Sequence, residues 1–395
     1  MRAAAGEDRP GQSLRIVALG IATLFVLCAC AAVGLAFSHA SVADFLSFWA
    51  AGRLASGGHA ALAYDIAQHR AVELQAAGAA LGFLPFPYPP PFLAVLAPFG
   101  LLPFWVAFGG WIAITAALYI AATRRLLPTR FALAQGAAAA NFIVGQNGFL
   151  TSAIFIRGTT LLPRRPLLGG AILGLLAVKL QLAILLPVAL LAGRAWRAIA
   201  GGILSVLCVA AASLVLFGFE PWRGFLAILP HFSQWLSAGK WPWGELASVY
   251  AMLRFFEVPA AAALWVHGIV ALAAAALTAR AWAFDLEPKV PILAAATLLV
   301  PPYLFTYDAL LLTLPMAWLL QQRKRRASFT AVWLLSLLPV VSYVTPFVNT
   351  IPLAAIAALW ALHRPARDDA RDLPAVGEAE RTDPLVGAAA LGHDR

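Results

Sequence analysis

The sequence predicts an all-helical protein that crosses a membrane many times. Of the 395 residues, 62% are apolar and only 12% are charged, and the mean hydropathy is +0.82, a balance too apolar for a chain dissolved in water. Apolar runs recur at lengths near the roughly 20 residues that a helix needs to span a bilayer. Arginines and lysines fall in short clusters between those runs, the pattern of loops held on the cytoplasmic side. The formal charge of +10 therefore reads as membrane topology, and nucleic acid is excluded as a partner. Cys28, Cys30 and Cys208 all lie inside apolar segments, as small lipid-facing or core residues rather than a disulfide framework.

Taken in order, residues 1–15 form a polar cytoplasmic tail, and the apolar run 16–37 is long enough to span and longer than a signal-peptide core. It is read as a retained signal anchor. An outer loop follows at about 38–91. Pro98, Gly100 and Pro103 divide the next run into a short helix at 92–102 and a span at 104–122. Arg124, Arg125 and Arg130 mark a cytoplasmic turn. The segments 131–144 and 149–162 pair around the turn-like Gly145-Gln146-Asn147-Gly148, and Arg164 and Arg165 come next.

The run 167–192 carries arginines at both ends, Arg164 and Arg165 before it and Arg194 and Arg197 after it, with Lys179 at its centre. Two short helices meeting near the outer face at Lys179 reconcile those flanks with a charge in mid-run. A span at 199–217 leads to a second outer loop at about 218–258 that holds Trp222, Trp235, Trp241 and Trp243. The run 259–283 returns inward, 290–300 goes out to PPYLFTYD, and the following span ends before Arg323-Lys324-Arg325-Arg326. A last pair occupies 329–344 and 347–362, and 364–395 is a charged cytoplasmic tail with a disordered composition. The membrane domain thus runs over 16–363 with about twelve membrane segments.

On this parse the polar residues with chemistry to offer collect on the outer side, away from the basic clusters. These are Asp44, Arg53, Tyr64, Asp65, Tyr88, Gln146, Asn147, Lys179, Tyr307 and Asp308. His39, His59, His69 and His231 share no ligand spacing, and no metal or cofactor is expected. The tryptophans of the second loop suit either sugar stacking or an interfacial belt. A lipid or solute transporter, with paired broken helices and midplane polar groups, and a non-catalytic envelope assembly protein are the other classes this pattern admits.

The run DFLSFWAAGRLASGG after the first span, then AYD, PYPPPFLAVLAPF, GQNG, GGAILGLLAVKLQLAILLP and PPYLFTYD, resembles the polytopic glycosyltransferases of family 87, in the GT-C superfamily. The resemblance covers Ser41 to Asp308. It implies an enzyme of a plasma membrane, of bacterial inner-membrane type, that works on the periplasmic or exterior side. A sugar, mannose-like, would pass from a polyprenyl-phosphate donor to a glycolipid or glycan acceptor with inversion. Asp44 is then the candidate general base, although Ser41-Val42-Ala43-Asp44 also reads as a helix start that Asp44 caps. Lys179 is the candidate for the leaving phosphate, or else snorkels to headgroups. Arg223, Lys240 and Arg254 are further phosphate candidates. Arg53 lies half a turn from Asp44 and either binds substrate or pins the loop. Asp65 and Asp308 each serve substrate or cap a helix, Tyr64, Tyr88 and Tyr307 line the substrate cavity, and Gln146 and Asn147 meet sugar hydroxyls or close a turn.

Overall fold

The computed structural model describes residues 44–77, 84–239, 243–343 and 345–363. The expected first span, both terminal tails, Lys240 and Trp241 lie outside the described residues. Among those described, every regular element is a helix, and the one extended pairing is an isolated antiparallel bridge between Leu246 and Phe305.

Five helices are long and apolar enough to cross a bilayer among the described residues: Phe104–Thr123, Pro166–Ala183, Trp196–Phe217, Ala260–Ala283 and Arg326–Tyr343. Pro91–Gly100 and Ile351–His363 are apolar but shorter. The expected count of about twelve segments is not supported, because several apolar runs fold as half-length helices. Gly136–Val144 and Lys289–Thr297 have nine residues each, about 14 Å at the helical rise, or half of a hydrocarbon core. Ala137 to Ala140 in the first and Ile292 to Ala296 in the second are buried against protein instead.

The two expected outer loops are also helical. The first holds Phe45–Ser56, a 3-10 turn at Ala60–Tyr64 and Ile66–Ala77. The second holds Glu220–Ser237 and Val249–Phe255. Phe45–Ser56 is apolar on every side, so its only favourable place is inside, and all of it except Arg53 and Ser56 is buried. Glu220–Ser237 is amphipathic: Phe225, Ile228 and Phe232 face inward, while Glu220 and Arg223 pair on the exposed side.

Glycines set how closely these helices approach. A Cβ at Gly52 would overlap the Leu96 carbonyl oxygen, and one at Gly100 the backbone of Gly52 and Arg53, so Phe45–Ser56 lies backbone to backbone on Pro91–Gly100. Gly170 against Ala198 and Gly201 against Leu167 do the same between Pro166–Gly174 and Trp196–Phe217. Gly52→Leu should therefore lower stability by about 3 kcal/mol, the upper end for overpacking a core, and shift the helix that follows Asp44. The measurement is the thermal midpoint of the purified protein in detergent, together with its transfer activity, both of which should fall.

Buried apolar side chains gather into two clusters. The smaller is strongly aromatic. Phe48 sits at its centre, edge-on to Tyr88 at 5.2 Å, Phe92 at 5.2 Å and Trp111 at 5.7 Å, the geometry that ring quadrupoles favour. The larger joins the helices from Phe104–Thr123 through Ile351–His363.

Candidate active site

A cavity of about 430 Å³ opens where the two clusters meet. Phe48, Tyr88 and Phe232 line it from the aromatic cluster and Leu304 from the larger one. Its polar lining is Asp44, Ser47, Gln146, Lys179, Gln181, Glu245, Tyr303, Tyr307 and Asp308.

Asp44 immediately precedes the Phe45–Ser56 helix, but its carboxylate makes no capping bond. Its Oδ2 instead accepts Nε2–H of Gln146 at 3.1 Å. Gln146 is itself oriented, because the Tyr88 hydroxyl donates to its Oε1 at 3.1 Å and leaves only the amide nitrogen to face Asp44. Local sequence places this glutamine. Gly145, at φ +69°, closes Gly136–Val144 in the left-handed conformation that glycine adopts without strain, and a Cβ there would also strike Phe45 and the Phe108 ring. Burial pushes the Asp44 carboxyl above its ordinary range, and the Gln146 hydrogen bond and the Lys179 charge draw it partly back.

Lys179 sits at a break. The 3-10 turn Leu175–Lys179 interrupts the long Pro166–Ala183 segment, and Lys179 leaves helical geometry at φ −141° and ψ 78°. Its ammonium donates to Asn147 Oδ1 at 2.9 Å and Asp308 Oδ1 at 2.6 Å and lies 4.6 Å from the centre of the Tyr307 ring, a favourable cation–π distance. Asp308 does two jobs, since its other oxygen accepts the Phe305 N–H at 3.4 Å and holds the start of the 3-10 helix Thr306–Leu312. Gly148 lets this arrangement close, because a Cβ there would overlap the Tyr307 carbonyl oxygen. The lysine–aspartate pair is 4% and 1% exposed, so each charge depends on the other.

The remaining residues singled out from sequence lie elsewhere. Tyr64 stands behind the wall, donating to the Tyr88 carbonyl at 2.8 Å. Asp65 accepts the Gln68 N–H at 2.9 Å and so caps Ile66–Ala77. Arg53 is exposed, lies over the Trp49 ring at 5.5 Å and reaches the Gly100 carbonyl at 3.4 Å, a contact that ties two helices together. Arg223 pairs with Glu220 on an exposed surface. Arg254 donates to the Val258 carbonyl at 2.7 Å and lies over Trp243. None of these five lines the cavity.

Four polar lining residues, Ser47, Gln181, Glu245 and Tyr303, are not among the sequence candidates. Gln181 donates to the Tyr303 hydroxyl at 2.7 Å. Glu245 enters from the second outer segment, where Thr306 donates its N–H at 3.0 Å and its hydroxyl at 3.1 Å to the Glu245 carbonyl oxygen. The available signal for Glu245 was its isolation, as the one acidic residue between Glu220 and Glu257.

Comparison with curated proteins and with solved structures returned no match. The family model of glycosyltransferase family 87 matches residues 86–305, which takes in Tyr88, Gln146, Asn147, Lys179, Glu245 and Tyr303, while Tyr307 and Asp308 fall just past its end and Asp44 lies well before its start. Since that match extends over more than half of the chain and over most of the cavity's polar wall, the chain belongs to glycosyltransferase family 87 and is a membrane glycosyltransferase.

Proposed function

We propose that the enzyme transfers a sugar from a polyprenyl-phosphate donor to an acceptor hydroxyl in the cavity at Asp44, on the outer face of the membrane, with inversion. One observation carries this reading: a carboxylate free of any capping duty and a buried ammonium share one cavity that also has an apolar wall. Asp44 takes the proton of the acceptor hydroxyl as that oxygen attacks the anomeric carbon. The bond from that carbon to the phosphate oxygen breaks on the opposite face, and the polyprenyl phosphate leaves with the electron pair. Lys179, in a site shielded from water, stabilises the charge that develops on the leaving phosphate. Leu84, Pro85, Pro87, Leu229 and Phe232 supply the apolar side of the cavity, suited to the first isoprene units. Two of these come from the amphipathic Glu220–Ser237 helix, whose form suits a place at the membrane surface.

The outward orientation rests on charge. Arg124 and Arg125, Arg164 and Arg165, Arg194 and Arg197, and the 323–326 cluster alternate along the chain with the cavity-lining stretches, and such clusters stay cytoplasmic. Nucleotide sugars are made on that cytoplasmic side, so a lipid-linked donor is the chemistry that reaches an outward site. Purified protein given a polyprenyl-phosphate mannose and, separately, a nucleotide-linked mannose should transfer only from the lipid. Efficient transfer from the nucleotide sugar without lipid would overturn the donor assignment.

A further inference from the structure

Glu245 is built into the cavity in a way its neighbours are not. Its backbone is fixed, with the carbonyl oxygen taking two bonds from Thr306 and the next residues held by the Leu246–Phe305 bridge and the Ala247 N–H to Leu304 carbonyl bond at 2.5 Å. Asn349 braces the same stretch, donating to the Gly244 carbonyl at 3.1 Å and to the Thr306 hydroxyl at 2.8 Å. The Glu245 side chain is half-buried and lines the same cavity as Asp44. Tyr88 bonds Gln146 and Gln146 bonds Asp44, Lys179 pairs with Asp308, and Gln181 donates to Tyr303, whereas the Glu245 carboxyl has no hydrogen-bond partner among the described residues. A rigid backbone carrying an unpartnered carboxyl into a cavity is the arrangement of a group directed at a ligand.

We infer that Glu245 binds the sugar of the lipid-linked donor, its carboxyl hydrogen-bonding ring hydroxyls so that the anomeric carbon lies against Asp44. This inference rests on the transfer reaction proposed above and adds a positioning residue to it. The protonation state fits that task. Burial first, and then the Asp44 charge, pushes the Glu245 carboxyl up to about 8, so at neutral pH it is an acid that both donates and accepts, as vicinal hydroxyls require. A neutral carboxyl also spares the cavity a further negative charge when a phosphate enters. The other titratable groups facing the same space are Asp44, Asp308 and Lys179, with the phenols of Tyr88, Tyr303 and Tyr307. Tyr343 lines a second cavity that Glu245 also borders.

The test is binding, without acceptor, of two probes to the purified full chain: a polyprenyl-phosphate mannose and the same polyprenyl phosphate lacking the sugar. Glu245→Ala should weaken the sugar-bearing lipid by tenfold or more and leave the bare phosphate within about twofold. Glu245→Gln, which keeps a donor and an acceptor, should bind the sugar lipid within about threefold of wild type at pH 7. Above pH 8 the wild type loses its proton and with it affinity for the sugar lipid, while the glutamine variant should not. Unchanged binding of both probes by the alanine variant, or equal loss of both, overturns the role of Glu245 alone. Failure of the wild type to bind either probe overturns the donor assignment and this inference with it.

Discussion

Asp44→Asn should abolish transfer while leaving the protein folded. A positioned general base contributes roughly 10²- to 10⁴-fold, so kcat should fall by at least about a hundredfold. The fold should hardly notice. The carboxylate caps no helix, and an asparagine oxygen still accepts the Gln146 amide, so the stability change should stay within about 0.5 kcal/mol. The pH dependence provides a second readout. The base acts in its ionised form, and burial raises its pKa in the protein, so wild-type activity should rise with pH through a limb that lies above the ordinary carboxylate value of about 3.9. Gln146→Ala should displace that limb further upward, because it removes a hydrogen bond that favours the ionised form. Wild-type turnover by Asp44→Asn would leave Asp44 without a catalytic role and return the search for a base to Glu245 and Asp308.

The residues of the cavity differ in how far the sequence exposes them, and the difference is physical. Asp44, Lys179 and Asp308 stand out because an ionisable group next to long apolar runs is costly unless it has a purpose. Gln146 stands out because a glycine on each side marks a turn. What the chain order hides is pairing at a distance. Lys179 and Asp308 are 129 residues apart, and Glu245 reaches the cavity only because its backbone is fastened to Thr306, 61 residues on. Arg223 and Arg254 look like phosphate ligands in the sequence, yet each finds a local partner, Glu220 three residues before and the Val258 carbonyl four after. The same limit applies to the helices. Phe104–Thr123, Trp196–Phe217 and Ala260–Ala283 are legible to within a few residues from apolar length with proline or arginine flanks. The short buried helices are not, since apolarity alone cannot tell a surface facing lipid from one facing protein. That ambiguity is why the expected count of about twelve segments exceeds the five long apolar helices found among the described residues.

The second large effect should come from separating Lys179 from Asp308. Removing one member of a buried ion pair strands the other, at about 3–5 kcal/mol, and here both side chains are buried, with exposures of 4% and 1%. Lys179→Gln leaves the Asp308 carboxylate with the Phe305 N–H as its remaining charge-stabilising donor. Asp308→Asn leaves the ammonium with the Asn147 oxygen and the Tyr307 ring. Each single variant should therefore give less folded protein and a lower thermal midpoint in detergent. The double variant Lys179→Gln with Asp308→Asn carries no charge at the site and keeps amide hydrogen bonding, so it should recover more than half of the lost stability, a coupling that a double-mutant cycle measures directly. Activity should not recover with it. If the ammonium stabilises the leaving phosphate, its removal should cost about 10²- to 10³-fold in kcat, the scale of losing one preorganised charge-stabilising donor, even in a well-folded double variant. Lys179→Arg should fall short as well, because a planar guanidinium cannot satisfy Asn147, Asp308 and the Tyr307 face from one point. A double variant that regains both stability and full transfer would make the pair purely structural, and the donor phosphate would then have to be held by a cation other than Lys179.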